Sequence, residues 1–253
     1  MPSSSHRPTA KRPHVARRRF GQHFLHDPRV LARIVDAIAP RPDDHLVEIG
    51  PGEGALTAPL LQRTPKIEVI EVDRDLAARL RAVPGVTVHE ADALEFDYAQ
   101  FPAGMRLVGN LPYNISTPLL FHLARFAERV RDMHFMLQLE VVERMVAAPS
   151  TAAYGRLSVA LQGRFRMEKL FNVSKGAFRP PPKVESAIVR LVPLEKKLAI
   201  DEDLLRRAFS ARRKQLRNAL PGIDWARAGI DPALRPENLS PADYERLSMN
   251  SIL

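Results

Sequence analysis

HLVEIGPGEGALTAPLLQR, residues 45–63, contains a strand pattern, a glycine-rich loop and a helix pattern in immediate succession. The same alternation continues, with further strand patterns at IEVIEV (67–72), VTVHE (86–90), RLVGN (106–110) and MHFMLQL (133–139). Strands that alternate with helices predict right-handed crossovers and a mainly parallel sheet covered on both faces. We therefore predict an α/β fold that begins its sheet at residue 45.

The segments on either side of this core complete the predicted organisation. We expect Asp27 to cap a helix with Pro28 at its first position, and Thr117 to cap another helix with Pro118 at its first position. A helix near 156–163, strands at 165–173 and 186–192, and a linker at 193–200 follow. Residues 201–253 lack a strand pattern and predict a small helical domain. Residues 1–16 are rich in Ser, Pro and basic residues, which predicts a disordered arm or, alternatively, a transit peptide.

Composition restricts the class of protein. The chain has 253 residues, no cysteine and a net charge of +9, with 38 basic against 29 acidic side chains. The absence of cysteine excludes disulfides and thiolate chemistry and favours an intracellular, cytoplasmic protein. No apolar run approaches the roughly 20 residues that a membrane span needs. The closest histidine pair, His23 and His26, does not have metal-ligand spacing, so we expect no metal.

The glycine loop predicts a ligand site. Gly50, Gly52 and Gly54 follow the first strand of the sheet, where ligands bind beyond the carboxyl ends of strands. Glycines at these positions also suit a simple strand-to-helix turn. A dinucleotide would tolerate Ala55 at the sixth position of its fingerprint, but Glu53 would face the pyrophosphate. A cofactor with an amino-acid moiety and a positive centre, such as S-adenosylmethionine, suits the acidic loop better.

Acidic residues follow the next two strands. Glu71 and Asp73 lie about 20 residues beyond the glycines, where a carboxylate can bind a ribose diol. Asp73 also has the position of a helix cap, which makes Glu71 the better candidate. After the third strand, Asp92 can accept a hydrogen bond from an adenine amine, although this position alone does not decide its role.

GNLPYN, residues 109–114, ends the fourth strand. Asn and Pro are common turn formers, so a strand-terminating turn explains the motif when it is taken alone. The alternative is a clamp for a planar group. In that case Asn110 and Leu111 provide carbonyl acceptors, Pro112 fixes the backbone without an N–H, and Tyr113 stacks on a ring.

The ordered set GQHFL, EIGPGEGALT, IEVDRDL, ADAL and NLPY resembles the ribosomal RNA adenine N6-dimethyltransferases. The later segments FRPPPKVESAIVRL (178–191) and FSARRKQLRNAL (209–220) are most similar to the bacterial small-subunit members. The resemblance extends from about Arg17 to Asn218. It implies a Rossmann-like methyltransferase domain over 17–195, S-adenosylmethionine as cofactor, and dimethylation of two adjacent adenines near the 3′ end of small-subunit rRNA.

The resemblance also implies site residues. The catalytic positions are Asn110, Leu111, Pro112, Tyr113 and Phe178, with Phe178 on the second face of the base. The cofactor-contacting positions are His23, Leu25, Gly50, Glu71, Asp92 and Asn110. The family more commonly has asparagine at position 23, and histidine can also donate or accept one hydrogen bond there.

Two acid-free segments predict contacts with RNA. Residues 1–26 contain Arg17, Arg18 and Arg19, and residues 204–223 contain Arg206, Arg207, Arg213, Lys214 and Arg217. On one helix, Leu205, Phe209, Leu216 and Leu220 would pack while the basic residues form a ridge, either solvated or phosphate-binding. The expected partner is small-subunit rRNA, free or in a partly assembled subunit, bound by a monomer.

Three other functions share parts of this pattern. A large-subunit rRNA methyltransferase of the macrolide-resistance type has the same motifs, and the later segments favour the small-subunit enzyme over it. A DNA adenine methyltransferase usually begins its corresponding motif with Asp or Ser and has two prolines there. A non-catalytic RNA-binding assembly or transcription factor of the same fold would not need the intact motifs around Gly50, Glu71, Asp92 and Asn110.

Overall fold

A seven-stranded sheet forms the centre of the protein in the computed structural model, which describes residues 23–251. The strands are β1 (Phe24–Leu25), β2 (Leu46–Ile49), β3 (Ile67–Glu71), β4 (Val86–Glu90), β5 (Met105–Asn110), β6 (Val130–Gln138), β7 (Phe165–Val173), β8 (Phe178–Arg179) and β9 (Ser186–Pro193). The sheet order is β4–β3–β2–β5–β6–β9–β7, and β1 pairs with β8 outside it. Strands β2 to β6 are parallel, whereas β9 runs antiparallel to β6 and β7. The predicted α/β fold with a mainly parallel sheet is confirmed.

Helices connect and cover these strands. They are α1 (Pro28–Ile38), α2 (Thr57–Leu61), α3 (Arg74–Leu80), α4 (Ser116–Ala124), α5 (Leu139–Val146), α6 (Arg156–Gln162), α7 (Glu202–Ser210), α8 (Leu216–Ala219), α9 (Trp225–Ala228) and α10 (Pro241–Met249). Single 3₁₀ turns lie at Tyr98–Gln100, Ala127–Arg129, Lys175–Ala177 and Pro236–Asn238. No helix in the described part of the chain is long and apolar enough to cross a membrane.

The helix starts confirm one predicted cap and correct another. The carboxylate of Asp27 accepts hydrogen bonds from the amides of Arg29 and Val30, so α1 begins as predicted. The prediction that Thr117 caps α4 is wrong, because that helix begins at Ser116, two residues before the predicted Pro118, and has no side-chain cap. The hydroxyl of Ser116 instead donates to the carbonyl of Tyr113, 3.1 Å away. This bond ties the start of α4 directly to the preceding turn.

The prediction of one basic helix near the carboxyl end is also wrong. Helix α7 ends at Ser210 and α8 begins at Leu216, so the two helices are separated by a turn. Leu205, Leu216 and Leu220 are nevertheless buried in one cluster, as the predicted stripe requires. Tyr154 belongs to the same cluster, and its hydroxyl donates to the carbonyl of Leu239 over 2.8 Å. The helical region therefore shares its core with the chain before β7, and a separate domain from 201 to 253 stays a prediction.

The topology creates a crevice beside β2. From β2 the chain proceeds outward to β3 and β4, and then returns to β5 on the other side of β2. In parallel α/β sheets, ligands bind at such a reversal, beyond the carboxyl ends of the strands. Gly109 allows the close approach of β5 to β2, because a Cβ built on it would lie 2.4 Å from the carbonyl oxygen of Ile49. The loops after β2 and β5 therefore face each other across the crevice.

Candidate active site

One cleft at this crevice brings most of the predicted site residues together. It is lined by eight of the predicted catalytic and cofactor residues besides Asn110: His23, Leu25, Gly50, Glu71, Asp92, Leu111, Pro112 and Tyr113. These residues come from β1, the loop after β2, the ends of β3 and β4, and the turn after β5. Separate segments of the sequence thus contribute to one concave site.

The glycine loop has a backbone that only glycine adopts readily. Gly50 and Gly52 have φ values of +66° and +58°. A Cβ on Gly52 would lie 3.0 Å from the ring of Phe24, so the loop also packs closely against β1. A Cβ on Gly50 would lie 3.9 Å from Cδ of Pro112, which brings the loop next to the turn after β5. The loop therefore forms one wall of the cleft with its main chain.

Glu71 connects this loop to the start of α3. Its carboxylate accepts hydrogen bonds from the amide of Gly52, at 3.1 Å, and from the amide of Asp73, at 2.8 Å. Burial raises the pKa of Glu71 above its ordinary range. Asp73 caps α3 by accepting hydrogen bonds from the amides of Asp75 and Leu76, which confirms its predicted position as a helix cap. Glu71 is consequently the carboxylate at the end of β3 that lines the cleft.

Asp92 lies in the cleft wall beyond β4, and its carboxylate also accepts from the amide of Leu94 at 2.9 Å. Asp92 thus stabilises a local turn and also lines the cleft. Its assignment to an adenine amine stays a prediction.

The turn after β5 holds its polar groups in defined orientations. The amide nitrogen of the Asn110 side chain donates to the main-chain carbonyl of His23, 3.0 Å away, so Oδ1 is the atom left to accept from a ligand. The amide of Leu111 donates to the carbonyl of Met136 at 3.2 Å. Within residues 23–251, no main-chain N–H donates to the carbonyl of Leu111. The amide of Ile115 donates to the carbonyl of Pro112, which confirms the turn reading of the motif as well.

Tyr113 is fixed at both its hydroxyl and its ring. The hydroxyl is 2.6 Å from Oγ of Ser186, a fully buried residue at the start of β9. The ring stacks on the imidazole of His23, with centroids 5.6 Å apart and planes inclined by 30°. Nδ1 of His23 lies 2.8 Å from the carbonyl oxygen of Pro180. The side chain of Tyr113 is thus a positioned platform on which one flat ring already stacks.

The structure does not bring Phe178 to the cleft. The residue is only 2% exposed and belongs to the same core cluster as Leu25 and Ile34, while its main chain pairs with β1. In this arrangement the buried phenyl ring offers no exposed face to a base. The predicted role of Phe178 against the base stays a prediction, and it requires that the ring become exposed.

Sequence reasoning missed two polar side chains of the cleft. Glu48 is 1% exposed, and burial raises its pKa to about 7, with the hydroxyl of Thr57 donating to it over 2.6 Å. Its signal was an acid inside an otherwise apolar strand. His134 on β6 also lines the cleft, and burial lowers its pKa to about 4. Nothing in the alternation of MHFMLQL indicated which face of the sheet His134 would occupy.

The predicted RNA-binding residues have different surroundings. Arg206 and Arg207 both pair with Asp203, and Arg217 donates to the side chain of Gln215. Arg213 and Lys214 are exposed in the turn between α7 and α8. The predicted contacts of Arg17, Arg18 and Arg19 lie outside the described residues, as does the predicted arm at 1–16. Between residues 23 and 251, no group of three or more His, Asp or Glu side chains is arranged to hold a metal ion.

The sheet order, the glycine loop after β2 and the acidic residue that ends β3 define a Rossmann-like S-adenosylmethionine-dependent methyltransferase. The chain belongs to the ribosomal RNA adenine dimethylase family, whose model matches residues 13–249.

Curated relatives and solved structures agree with this family. The chain is 59% identical to ribosomal RNA small subunit methyltransferase A of Aromatoleum aromaticum, over 91% of this chain and 92% of the relative. It is 56% identical to the protein of the same name from Nitrosospira multiformis, with 91% and 94% covered. The crystal structure of a dimethyladenosine transferase from Plasmodium falciparum superposes with a TM-score of 0.76 at 27% identity, covering 90% of this chain and 96% of that one. The 23S rRNA methyltransferase ErmE gives a TM-score of 0.67, also at 27% identity, with 90% and 99% covered.

Proposed function

We propose that this protein transfers methyl groups from S-adenosylmethionine to N6 of two adjacent adenines near the 3′ end of small-subunit rRNA, two to each adenine. The observation that carries the proposal is the turn after β5. There the side chain of Asn110 is tied to His23 through its nitrogen and keeps its oxygen for a ligand amine. The identity of 59% to a small-subunit rRNA methyltransferase supports the choice of RNA.

The residues of the cleft fit this cofactor. Glu53 and Glu71 line it beside the buried Glu48, and this acidic lining favours a ligand with cationic groups over a dinucleotide pyrophosphate. The main chain at Gly50 and Gly52 would hold the amino-acid part, Glu71 the ribose and Asp92 the adenine amine. When bound, S-adenosylmethionine supplies the sulfonium methyl group that is transferred.

The residues of the turn act on the target amine. An adenine N6 is a poor nucleophile because its lone pair delocalises into the ring. Oδ1 of Asn110 and the carbonyl oxygen of Leu111 accept its two hydrogens, which favours a more tetrahedral nitrogen with its lone pair available. Pro112 has no N–H to compete for these acceptors. Catalysis in this form depends on positioning and preorganised dipoles, and the proton leaves after the methyl group has arrived.

Tyr113 provides the surface on which the base stacks, a contact of about 1–3 kcal/mol per base in single-stranded complexes. The imidazole of His23 already stacks there, which supports Tyr113 as a platform for flat rings. After the first transfer only one amino hydrogen remains, so stacking must hold the monomethyl product for the second transfer.

The partner in this proposal is small-subunit rRNA, free or in a partly assembled subunit, and the enzyme acts as a monomer in the cytoplasm. Light scattering of the purified protein tests this: a mass near 28.4 kDa agrees with a monomer, and twice that mass contradicts it.

The function is tested by transfer of tritiated methyl groups to small subunits that lack these modifications, followed by mapping of the labelled bases. The proposal expects label on two adjacent adenines near the 3′ end of the rRNA, with dimethyladenosine as the final product. Label on large-subunit RNA would favour the activity named for ErmE. RNA binding without any label would favour a non-catalytic assembly factor.

A further inference from the structure

Basic side chains gather on one rim of the cleft, in segments that the sequence did not single out as RNA-binding. Arg29 and Arg33 lie on the first turns of α1, and Lys175, Arg179 and Lys183 lie on the segment from 175 to 183. All five side chains are exposed. We call these five residues the rim patch.

Main-chain contacts hold the two segments of the rim patch together. Arg179 pairs with Phe24 in the β1–β8 ladder, and the amide of His26 donates to the carbonyl of Ala177 over 2.9 Å. The guanidinium of Arg33 stacks over the ring of Phe171, 3.9 Å from its centroid. The rim patch therefore has a fixed place beside the residues that line the cleft.

The charges of the rim patch are not neutralised by neighbouring acids. In the described part of the chain, none of the five cations forms an ion pair within 4.0 Å. One carboxylate lies next to each segment, and both accept hydrogen bonds from main-chain amides. Asp27 caps α1, and Glu185 accepts from the amide of Lys175 at 3.1 Å.

The predicted ridge of the helical region is different, since one carboxylate there, Asp203, pairs with both Arg206 and Arg207. The rim patch thus offers more uncompensated charge to a polyanion than that part of the ridge. It is also joined to the site, because Arg179 pairs with Phe24, the neighbour of His23, whose carbonyl accepts from Asn110.

We propose that the rim patch binds the phosphates of the nucleotides that flank the target adenine. This inference rests on the proposed function and adds a docking surface on the catalytic domain. A single strand that inserts a base next to Tyr113 carries its phosphates past the mouth of the cleft. Exposed arginines suit that path, because a guanidinium forms paired hydrogen bonds with phosphate oxygens. The rim patch so fixes the position of the strand, while the turn after β5 selects the base.

The experiment compares two triple variants of the full chain. Lys175→Gln, Arg179→Gln and Lys183→Gln together remove three charges from the rim patch, whereas Arg33 is kept because it also packs on Phe171. The control removes three exposed charges at Arg41, Lys66 and Arg125. These residues precede β2, β3 and β6, so they lie toward the amino ends of the strands, whereas the cleft lies beyond the carboxyl ends. Filter binding of unmethylated small-subunit rRNA is measured over a range of potassium chloride concentrations.

Each lost contact with a single-stranded phosphate reduces the slope of log K against log salt by about 0.7. We expect the rim triple variant to have a slope shallower by about 2, and the control triple variant to keep the slope of the wild type. Affinity for S-adenosylhomocysteine should be unchanged in both, which shows that the fold is intact.

Two results overturn the inference: a rim variant with the slope of the wild type, or equal losses of slope in both triple variants. A different pair of results separates the inference from the function. If the rim triple variant has a shallower slope than the wild type, but the wild type transfers no methyl group to small-subunit RNA, the proposed function fails and the surface stands. If the wild type methylates that RNA and the rim variant binds it with an unchanged slope, only the surface fails.

Discussion

The hydrogen bond between Tyr113 and Ser186 joins the base platform to strand β9 of the sheet. The two oxygens are 2.6 Å apart, and Ser186 is fully buried at the start of β9. In Ser186→Ala the half-buried hydroxyl of Tyr113 loses its partner, so that this bond no longer holds the ring in position. A buried polar group left without a partner costs about 1–3 kcal/mol, whereas removal of both hydroxyls at once is close to neutral.

The assay is a double-mutant cycle of Ser186→Ala and Tyr113→Phe, read as kcat/KM for methyl transfer to unmethylated small subunits. We expect Ser186→Ala to lower kcat/KM by about tenfold, which corresponds to about 1.4 kcal/mol. Tyr113→Phe keeps the stacking ring, so the double variant should recover part of that loss. The expected coupling between the two sites is about 1 kcal/mol.

A third variant separates the ring from its hydroxyl. Tyr113→Ala removes the stacking surface and should weaken RNA binding by about 1–3 kcal/mol, beyond any effect of Tyr113→Phe. Strictly additive effects in the cycle would show that the hydrogen bond does not position the ring. Equal RNA affinity of Tyr113→Ala and the wild type would refute stacking itself.

Three further predictions concern the walls and the surface of the protein. Burial raises the pKa of Glu48 from 4.5 to about 7 in the folded protein. The wild type therefore loses stability as the pH rises from 4.5 through 7, because the buried side chain must ionise. Glu48→Gln cannot ionise, so its stability relative to the wild type should increase between pH 5 and 8. The gain, measured by urea unfolding, should approach about 3 kcal/mol. Gly109→Ala should lower the free energy of unfolding by about 1–3 kcal/mol, since its Cβ would collide with the carbonyl of Ile49. Charge reversal of Arg213 and Arg217 should weaken RNA binding about tenfold and leave cofactor affinity unchanged in calorimetry.

Each of these predictions has its own contradicting result. A stability difference between Glu48→Gln and wild type that does not vary with pH would mean that Glu48 titrates normally in the fold. Gly155→Ala is the control for Gly109, because a Cβ there meets no atom within 4 Å, and equal losses in both variants would remove the argument from close strand approach. Unchanged RNA affinity after the charge reversal would remove the helical region from the RNA surface.

The sequence predicted those parts of the fold whose causes are local. Strand periodicity located β2 to β6. The caps at Asp27 and Asp73 were also predictable, because each carboxylate accepts from main-chain amides only two and three residues further along the chain. Helix α5 was missed because β6 passes directly into it at Leu139, with no side-chain cap and no turn residue to mark the change. The apolar residues of α7 and α8 were predicted to form the stripe of one helix. Leu205 and Leu216 do pack in the same core, but a turn separates the two helices.

The site was predictable as a set of positions but not as a set of contacts. Gly50, Glu71 and Asn110 were predicted from their places at strand ends together with the family resemblance, and the parallel topology brings these strand ends to one side of the sheet. The bond from Tyr113 to Ser186 joins residues 73 positions apart, and no local pattern encodes such a pair. The burial of Phe178 follows from the pairing of β8 with β1, two strands of only two residues each. Strands of that length have no periodicity to detect.

The claim at the centre of this account is that Oδ1 of Asn110 accepts a hydrogen from the target amine. It is tested most directly by single-turnover methyl transfer with Asn110→Ala, next to Asn114→Ala as a control of the same residue type on the exposed side of the turn. We expect Asn110→Ala to bind rRNA within about threefold of the wild type but to transfer methyl groups about 10²–10³ times more slowly, as for the loss of one preorganised hydrogen-bond group. Asn114→Ala should react at the rate of the wild type. Methyl transfer by Asn110→Ala at the wild-type rate would contradict the account.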